Sequence, residues 1–159
     1  MKKCLLPIAI LTIIAICFCV FGFVACKPSY TINYSAIEEN GEIVAYSVEG
    51  STKSKVIEIP SEYNGKPVTE IGEYAFKEGA FLFVKLEKIT IPDSVTKIGS
   101  NALCQCDELT DIYFGGTKTQ WEAIDKGSDW DNGAGRFSDR GFYIIHCTDG
   151  DIIREPVYE

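Results

Sequence analysis

One pattern of apolar, polar and small residues occurs twice in this chain. Residues 68–76 read Val-Thr-Glu-Ile-Gly-Glu-Tyr-Ala-Phe, and residues 95–103 read Val-Thr-Lys-Ile-Gly-Ser-Asn-Ala-Leu. Each copy follows an Ile-Pro pair and precedes a Leu-x-x-Ile sequence. Recurrence at roughly 20–50 residues is typical of stacked solenoids, in which each copy buries its apolar residues against its neighbours. The pattern therefore predicts a solenoid of short strands.

The two parts of the pattern recur at unequal distances. The first phrase recurs from Val68 to Val95, whereas the Leu-x-x-Ile sequence recurs over a shorter distance, from Leu86 to Leu109. The difference of four positions coincides with the apolar stretch 80–84. Without it the period is 23, which is typical of leucine-rich repeats. We interpret the insertion as a packed flap, with a contact surface as the alternative.

Apolar and polar residues alternate in the strand of each copy. Ile89 and Ile91 point to one side of the first strand, while Lys88 and Thr90 point to the other. One face of the sheet is therefore expected to be buried and the other to face solvent. The outward residues of the two strands form a candidate binding face: Glu87, Lys88, Thr90, Thr110, Asp111 and Tyr113.

A β-hairpin is predicted before the repeats. Residues 30–48 contain two stretches rich in β-branched and aromatic residues around Asn40-Gly41, and an Asn-Gly pair favours a type I′ turn. The hairpin would cover the open end of the solenoid. Within the first repeat, residues 73–78 are expected to form about one helical turn, which Gly79 ends.

A helix and a strand are predicted after the repeats. Thr117 and Gln120 have the spacing of a capping box for a helix over 118–126, which would lay Trp121 over the last repeat. A final strand is predicted at 142–147. The predicted organisation is a hairpin cap at 30–49, leucine-rich repeats at 50–116, a helix-strand cap at 117–150 and a tail at 151–159.

The repeats resemble a known family. The second copy reads Ile91-Pro92, Val95-Thr96, Ile98-Gly99, Ala102-Leu103, Cys106, Leu109 and Ile112, which is similar to the pattern of the BspA-type leucine-rich repeats. The resemblance covers residues 50–116, and the cap after them also looks like the usual ending of such proteins. It implies a β-rich solenoid with short helical turns. It also implies a surface-exposed protein, since several members act as adhesins or binding proteins.

The beginning of the chain has the features of an export signal. Met1-Lys2-Lys3 is basic, and residues 4–25 contain no charged side chain. Ala25 and Cys26 resemble the end of a bacterial lipoprotein signal, in which the cysteine receives the lipid. This would make 1–25 a signal peptide and 26–29 a tether on the outer face of the cell membrane. An uncleaved membrane helix and a plain secretory signal are the alternatives, and both also export the chain.

The net charge limits the partners. The chain carries a formal charge of −8, and removal of residues 1–25 would make it −10 because Lys2 and Lys3 would be lost. Proteins bind nucleic acid largely because their cationic side chains displace counterions from the phosphates. An acidic protein lacks this contribution, so nucleic acid is not expected as a partner. The acyl chains on Cys26 would have to attach the protein to the membrane alone, because acidity argues against a polybasic second anchor.

Few residues indicate site chemistry. Cys104-x-Cys106 lacks the usual spacing of a zinc knuckle, so neither a metal nor another cofactor is expected, although a disulfide from Cys147 to Cys104 or Cys106 stays open. Asp129-x-Asp131 is interpreted as a solvated acidic turn rather than a calcium loop. His146 has no nucleophile motif beside it, so the chain is not expected to be an enzyme. Binding of a surface or host protein or a glycan is the favoured function, and a structural envelope lipoprotein is the alternative.

Overall fold

The computed structural model describes residues 30–51, 54–77 and 85–155. The predicted signal peptide with Cys26, the insertion 80–84 and residues 156–159 lie outside the described residues.

Two sheets with mostly parallel strands form the fold. Sheet A has the order β1-β2-β5-β7-β9, with β4 added on β5, and sheet B has the order β11-β10-β8-β6-β3. The chain alternates between the sheets as each repeat adds one strand to each, which confirms the predicted β-rich solenoid. The elements are β1 Ile32–Glu39, β2 Glu42–Ser51, β3 Val56–Glu58, β4 Glu62–Tyr63, β5 Lys66–Ile71, β6 Lys88–Ile91, β7 Lys97–Ile98, β8 Asp111–Phe114, α1 Lys118–Ala123, β9 Asp125–Lys126, β10 Tyr143–Cys147 and β11 Gly150–Arg154.

The strand register matches both repeat distances. In sheet A, Ile71 lies opposite Ile98, which holds the same position in the second phrase. In sheet B, Ile89 lies opposite Ile112, and these are the isoleucines of the two Leu-x-x-Ile sequences. The two copies are therefore structurally equivalent, and the extra four residues fall between β5 and β6.

The core lies between the two sheets. Its side chains come from the alternate, inward positions of the strands, so equivalent residues of successive repeats stack on one another. Strands thus bury one face while Lys88 and Thr90 point outward, as the alternation predicts. The fully buried aliphatic side chains include Val48, Val68, Ile71, Ile89, Ile91, Ile98, Leu103, Leu109, Ile112 and Ile145.

The strand ladders continue beyond the two repeats seen in the sequence. At the N-terminal end, β1 and β2 form the predicted hairpin, and Asn40 and Gly41 have the positive φ values, 53° and 80°, of a type I′ turn. Strand β2 then pairs in parallel with β5. At the other end, β10 pairs in parallel with β8. Each flanking region therefore adds a further layer to the solenoid.

The helix after the repeats is shorter than predicted. The capping box of Thr117 and Gln120 is present, and α1 begins at Lys118. The predicted end at residue 126 is wrong, because Ile124 has an extended backbone with φ −61° and ψ 128°. Residues 125–126 instead form β9, which pairs with β7. The local helix pattern gives way here to backbone hydrogen bonds with the preceding repeat.

The expected helical turn at 73–78 is also not helical in its described part. The amides of Tyr74 and Phe76 donate to the carbonyls of Ser100 and Ala102, at 3.1 and 2.8 Å, rather than along their own turn. The turns of successive repeats therefore stack as a third ladder. Their equivalent residues share a left-handed backbone, with φ of 56° at Tyr74, 56° at Asn101 and 52° at Asp129.

Aromatic side chains close the C-terminal end of the core. Trp121 packs edge-on against Phe114, with 5.2 Å between ring centroids, and against Trp130, with 5.9 Å. Both tryptophans are buried. The prediction that Trp121 lies over the last repeat is confirmed.

A buried carboxylate lies beside these rings. Asp131 accepts hydrogen bonds from the Tyr143 hydroxyl at 2.6 Å and from Arg154 Nε at 2.8 Å. It is 5% exposed, so the expected solvated acidic turn is wrong at this residue. The reason is that the turn stacks on the preceding one, which carries Asp131 toward the core.

Candidate functional site

The six predicted face residues lie together on the outer side of sheet B. Lys88 is directly opposite Asp111 in the neighbouring strand, and Thr90 is opposite Tyr113. Glu87 and Thr110 immediately precede these strands, and the amide of Thr110 donates to the Glu87 carbonyl, with the Thr110 hydroxyl oxygen 3.0 Å from the same carbonyl oxygen. We call this surface, together with His146 of the next strand, the polar face.

Asp111 differs from the expectation that it is exposed. Its side chain points outward, but the residue is only 4% exposed. The Thr110 hydroxyl donates to one carboxylate oxygen at 2.8 Å, and Lys88 Nζ lies 3.6 Å from the same oxygen. Arg140 Nη1 and His146 Nε2 lie 3.4 and 3.0 Å from the other oxygen. Asp111 therefore organises its neighbours instead of meeting solvent itself.

These contacts keep Asp111 ionised. Burial alone would raise its pKa, but hydrogen bonds from His146 and Thr110 and the charge of Arg140 outweigh burial and lower the pKa to about 2. The carboxylate is thus a fixed negative charge across the physiological pH range. It lies close to the cationic groups of Lys88 and Arg140 and to the ring of His146 on one side of the sheet.

His146 bridges two carboxylates. Its Nε2 lies 3.0 Å from Asp111 Oδ1, and its Nδ1 lies 3.0 Å from Asp151 Oδ1. Burial lowers the pKa of His146, but the hydrogen bonds to Asp111 and Asp151 outweigh it, so the pKa is raised above its ordinary value. The ring can donate to both carboxylates only as the imidazolium.

Tyr113 adds an exposed aromatic ring to this surface. Its ring stacks on the His146 ring, with centroids 4.7 Å apart and an interplanar angle of 19°. The residue remains 42% exposed. Stacking on the His146 ring restrains the tyrosine ring while leaving part of the residue exposed to a ligand.

The repeats identify the family. The sequence profile of the BspA type leucine rich repeat region, in six copies, matches residues 23–126, which is more than half of the chain. The chain belongs to the BspA-type leucine-rich repeat family. No curated protein matches it.

Two solved structures are similar to this BspA-type repeat protein. One is a leucine rich cell surface protein from Faecalibacterium prausnitzii A2-165, with 22% identity, a TM-score of 0.49, and coverage of 69% of this chain and 29% of that one. The other is a leucine-rich repeat protein from Bacteroides capillosus ATCC 29799, with 26% identity, a TM-score of 0.41, and coverage of 52% and 65%. This chain spans less than two thirds of the length of either protein.

Ion pairing limits what the polar face of the BspA-type repeats can do chemically. A base must present an unprotonated nitrogen. Both nitrogens of His146 are instead engaged with the carboxylates of Asp111 and Asp151. The side chains that can still meet a ligand are Lys88 and Arg140, each 44% exposed, and Tyr113. The arrangement suits charge-assisted hydrogen bonds and aromatic contact.

Over 30–51, 54–77 and 85–155, no group of His, Cys, Asp and Glu side chains is placed to hold a metal ion, and no helix is long and apolar enough to cross a membrane. Within the same ranges, Cys104, Cys106 and Cys147 form no disulfide. Cys106 is fully buried and its Sγ lies 3.2 Å from the Phe76 carbonyl oxygen, as expected for a core cysteine.

Sequence reasoning missed three residues of this site. His146, Arg140 and Asp151 lie beyond the last recognised repeat, in a region interpreted as a cap and a tail. The alternation of buried Tyr143 and Ile145 with outward His146 was the available signal. However, the residue of β10 that lies opposite Asp111 is Ile144, and the chain between them is longer than either repeat distance. Neither of the two repeat distances could therefore predict that β10 lies beside β8.

Proposed function

We propose that this protein is an exported, lipid-anchored surface protein whose polar face binds a protein or a glycan. The observation that carries the proposal is the Asp111 cluster, in which one buried carboxylate holds Lys88, Arg140 and His146 on the outer side of a parallel sheet. A surface with its charged groups already ordered loses less conformational entropy when a ligand binds.

The composition of the polar face supports binding. Tyrosine and arginine are enriched among the residues that contribute most to interfaces, and here Tyr113 and Arg140 flank the cluster. Stacked repeats also present neighbouring side chains at a regular spacing on an extended surface. A binding role accounts for this arrangement without assigning a catalytic step to His146.

Export and anchoring rest on the beginning of the chain. The uncharged residues 4–25 and the Ala25-Cys26 pair support a lipidated Cys26, and family membership supports a location at the cell surface. Mass spectrometry of the N-terminus of protein purified from its own cells tests this. An acylated Cys26 is expected. An intact Met1 would instead show that the apolar segment is retained as a membrane helix and that the protein has no lipid anchor at Cys26.

A binding screen tests the function. The full chain in a neutral detergent is applied to arrays of glycans and of purified host-matrix and bacterial surface proteins. Binding should be lost in a Lys88→Ala/Tyr113→Ala variant. The matched control, Lys66→Ala/Phe137→Ala, removes one exposed cation and one exposed aromatic ring elsewhere and should bind normally. Equal binding by both variants would contradict the assignment of this face.

A further inference from the structure

A groove crosses the outer side of sheet A, away from the polar face. Its floor contains one outward residue from each of five adjacent strands, which lie opposite one another in register. Beside this row runs a second row, which consists of the glycines Gly72, Gly99 and Gly127. Because these residues have no side chains, a depression of about 480 Å³ remains. We call it the sheet A groove. The register row is Ser35, Ser47, Glu70, Lys97 and Asp125.

Two of the three glycines of the groove are required by the stacking of the repeats. A Cβ on Gly99 would lie 2.6 Å from the Glu73 amide nitrogen, and one on Gly127 would lie 2.4 Å from the Ser100 amide nitrogen. These distances are too short for any side chain. The backbones of successive repeats therefore approach closely here, and the row beside the polar residues stays without side chains.

The groove is acidic. Among the described residues that line it, Glu49, Glu70, Glu73 and Asp125 face a single cation, Lys97. Lys97 Nζ lies 3.2 Å from Glu70 Oε2, so that pair neutralises itself. The remaining three carboxylates place negative charge along the depression, which would favour a cationic ligand.

A hydroxyl in the floor of the groove points to a ligand independently of the charge. Ser47 is only 5% exposed, and its side chain lines the groove. Among the described residues its hydroxyl has no hydrogen-bond partner, whereas the neighbouring Ser35 hydroxyl donates to Glu49 at 2.7 Å. The Ser47 oxygen is not itself fully buried, so it opens onto the groove. The Ser47 hydroxyl is thus available to a polar group that enters the groove.

We propose that the sheet A groove binds an extended peptide segment that carries lysine or arginine side chains. A row of five strands spans about 19 Å at the usual strand spacing, which suits an extended chain running across the strands. Ammonium or guanidinium groups would pair with Glu49, Glu73 and Asp125, and a backbone group of the peptide would pair with the Ser47 hydroxyl. The described residues that line this groove include no aromatic ring, so they do not offer the stacking that favours a sugar.

Fluorescence anisotropy of the full chain in neutral detergent tests the charge requirement. The probe is a short labelled peptide of alternating lysine and serine, in about 0.15 M salt to screen non-specific attraction. We expect saturable binding that falls at least about tenfold in Glu73→Gln/Asp125→Asn, since two ion pairs would be lost. The control Glu108→Gln/Asp139→Asn makes the same charge change at exposed sites outside the groove and should keep its affinity within about twofold. Equal losses in both variants, or no binding of this peptide by the unmodified chain, would overturn the proposal.

The Ser47→Ala variant tests the hydroxyl. It should lower peptide affinity about fivefold, the value of one hydrogen bond, while leaving the free energy of unfolding of the free protein unchanged or slightly higher. An unchanged peptide affinity would contradict the role of Ser47. A loss of stability in the free protein would contradict it as well, because the hydroxyl would then already have a partner.

Discussion

Nε2 of His146 lies 3.0 Å from Oδ1 of Asp111, although the two residues are far apart along the chain. Asp111 belongs to the second recognised repeat, and His146 belongs to the strand that follows the cap helix. Their contact therefore joins the last layer of the solenoid to the repeat before it. The same contact helps to order the polar face, so it links the stability of the last layer to the shape of the proposed binding surface.

The His146 contacts predict a loss of stability as the pH rises. The pKa of His146 is raised in the folded protein, so its contribution is complete below the ordinary pKa and is lost as the pH increases through the folded value. We expect the free energy of unfolding to fall by about 1 kcal/mol between mildly acidic and mildly alkaline pH, given the partial exposure of the pair. Urea titrations at both pH values measure this.

The control for that prediction is His146→Gln, which should show no such fall. The comparison is clean because His146 is the one histidine of the sequence. An identical pH dependence in the variant would show that other groups cause the effect.

Gly99→Ala should destabilise the protein strongly although glycine has no unusual φ there. Its new Cβ would lie 2.6 Å from a backbone nitrogen of the preceding repeat, and backbone atoms cannot move away as a side chain can. We expect a loss of about 3 kcal/mol, the upper range for overpacking. Thermal and urea unfolding measure it.

Gly141→Ala is the matched comparison for that variant. Gly141 has a φ of +71° and nothing within 4 Å of an added Cβ, so only backbone strain of about 1–2 kcal/mol is expected. A Gly99→Ala protein that is as stable as Gly141→Ala would contradict the close stacking of the repeats.

Tyr143→Phe tests the buried carboxylate at the end of the core. The hydroxyl donates to Asp131 at 2.6 Å, and its removal leaves that carboxylate with Arg154 as its side-chain donor. The ring and its packing are retained, so a loss of about 1–3 kcal/mol should come from the missing hydrogen bond. Tyr113→Phe, in which an exposed tyrosine loses its hydroxyl, should unfold at nearly the same urea concentration as the unmodified protein.

Tyr30 protects the edge of sheet B. Its hydroxyl accepts from the Glu58 amide at 2.6 Å and donates to the Glu58 carbonyl at 3.1 Å, so it occupies the outer side of edge strand β3 as a neighbouring strand would. Tyr30→Phe should accelerate hydrogen exchange at the Glu58 amide about fivefold, which corresponds to one hydrogen bond. In Tyr34→Phe, which alters a tyrosine of the neighbouring hairpin, the Glu58 amide should exchange at the original rate.

The repeated phrase was enough to predict the solenoid, its two repeat distances and its inward residues. The capping box at Thr117 and the turn at Asn40-Gly41 were also readable, because each is a local arrangement whose geometry depends on a few adjacent residues. The end of α1 could not be predicted from the local sequence. Residues 125–126 follow a helical pattern but join a strand, since hydrogen bonds to the preceding repeat replace those along the helix.

The candidate site was predicted only in part for a related reason. Alternation along β6 and β8 identified the outward residues, but it could not show that Asp111 is covered from the side by Arg140 and His146. Those two residues approach through a loop and a strand of irregular spacing. Long-range contacts of this kind leave no periodic signal in the chain. The glycines of the sheet A groove, in contrast, are part of the repeated phrase at Gly72 and Gly99, yet their effect on the surface is visible only in three dimensions.

The most direct test of the proposed function is the affinity of the partner found in the surface screen for variants of the polar face. Titration of that partner against the full chain should give a dissociation constant at least about tenfold weaker for Lys88→Ala/Tyr113→Ala, since residues central to an interface contribute most of its affinity. The Lys66→Ala/Phe137→Ala control should bind as the unmodified chain does. Equal affinity in all three proteins would contradict the claim that this face of the solenoid is the binding surface.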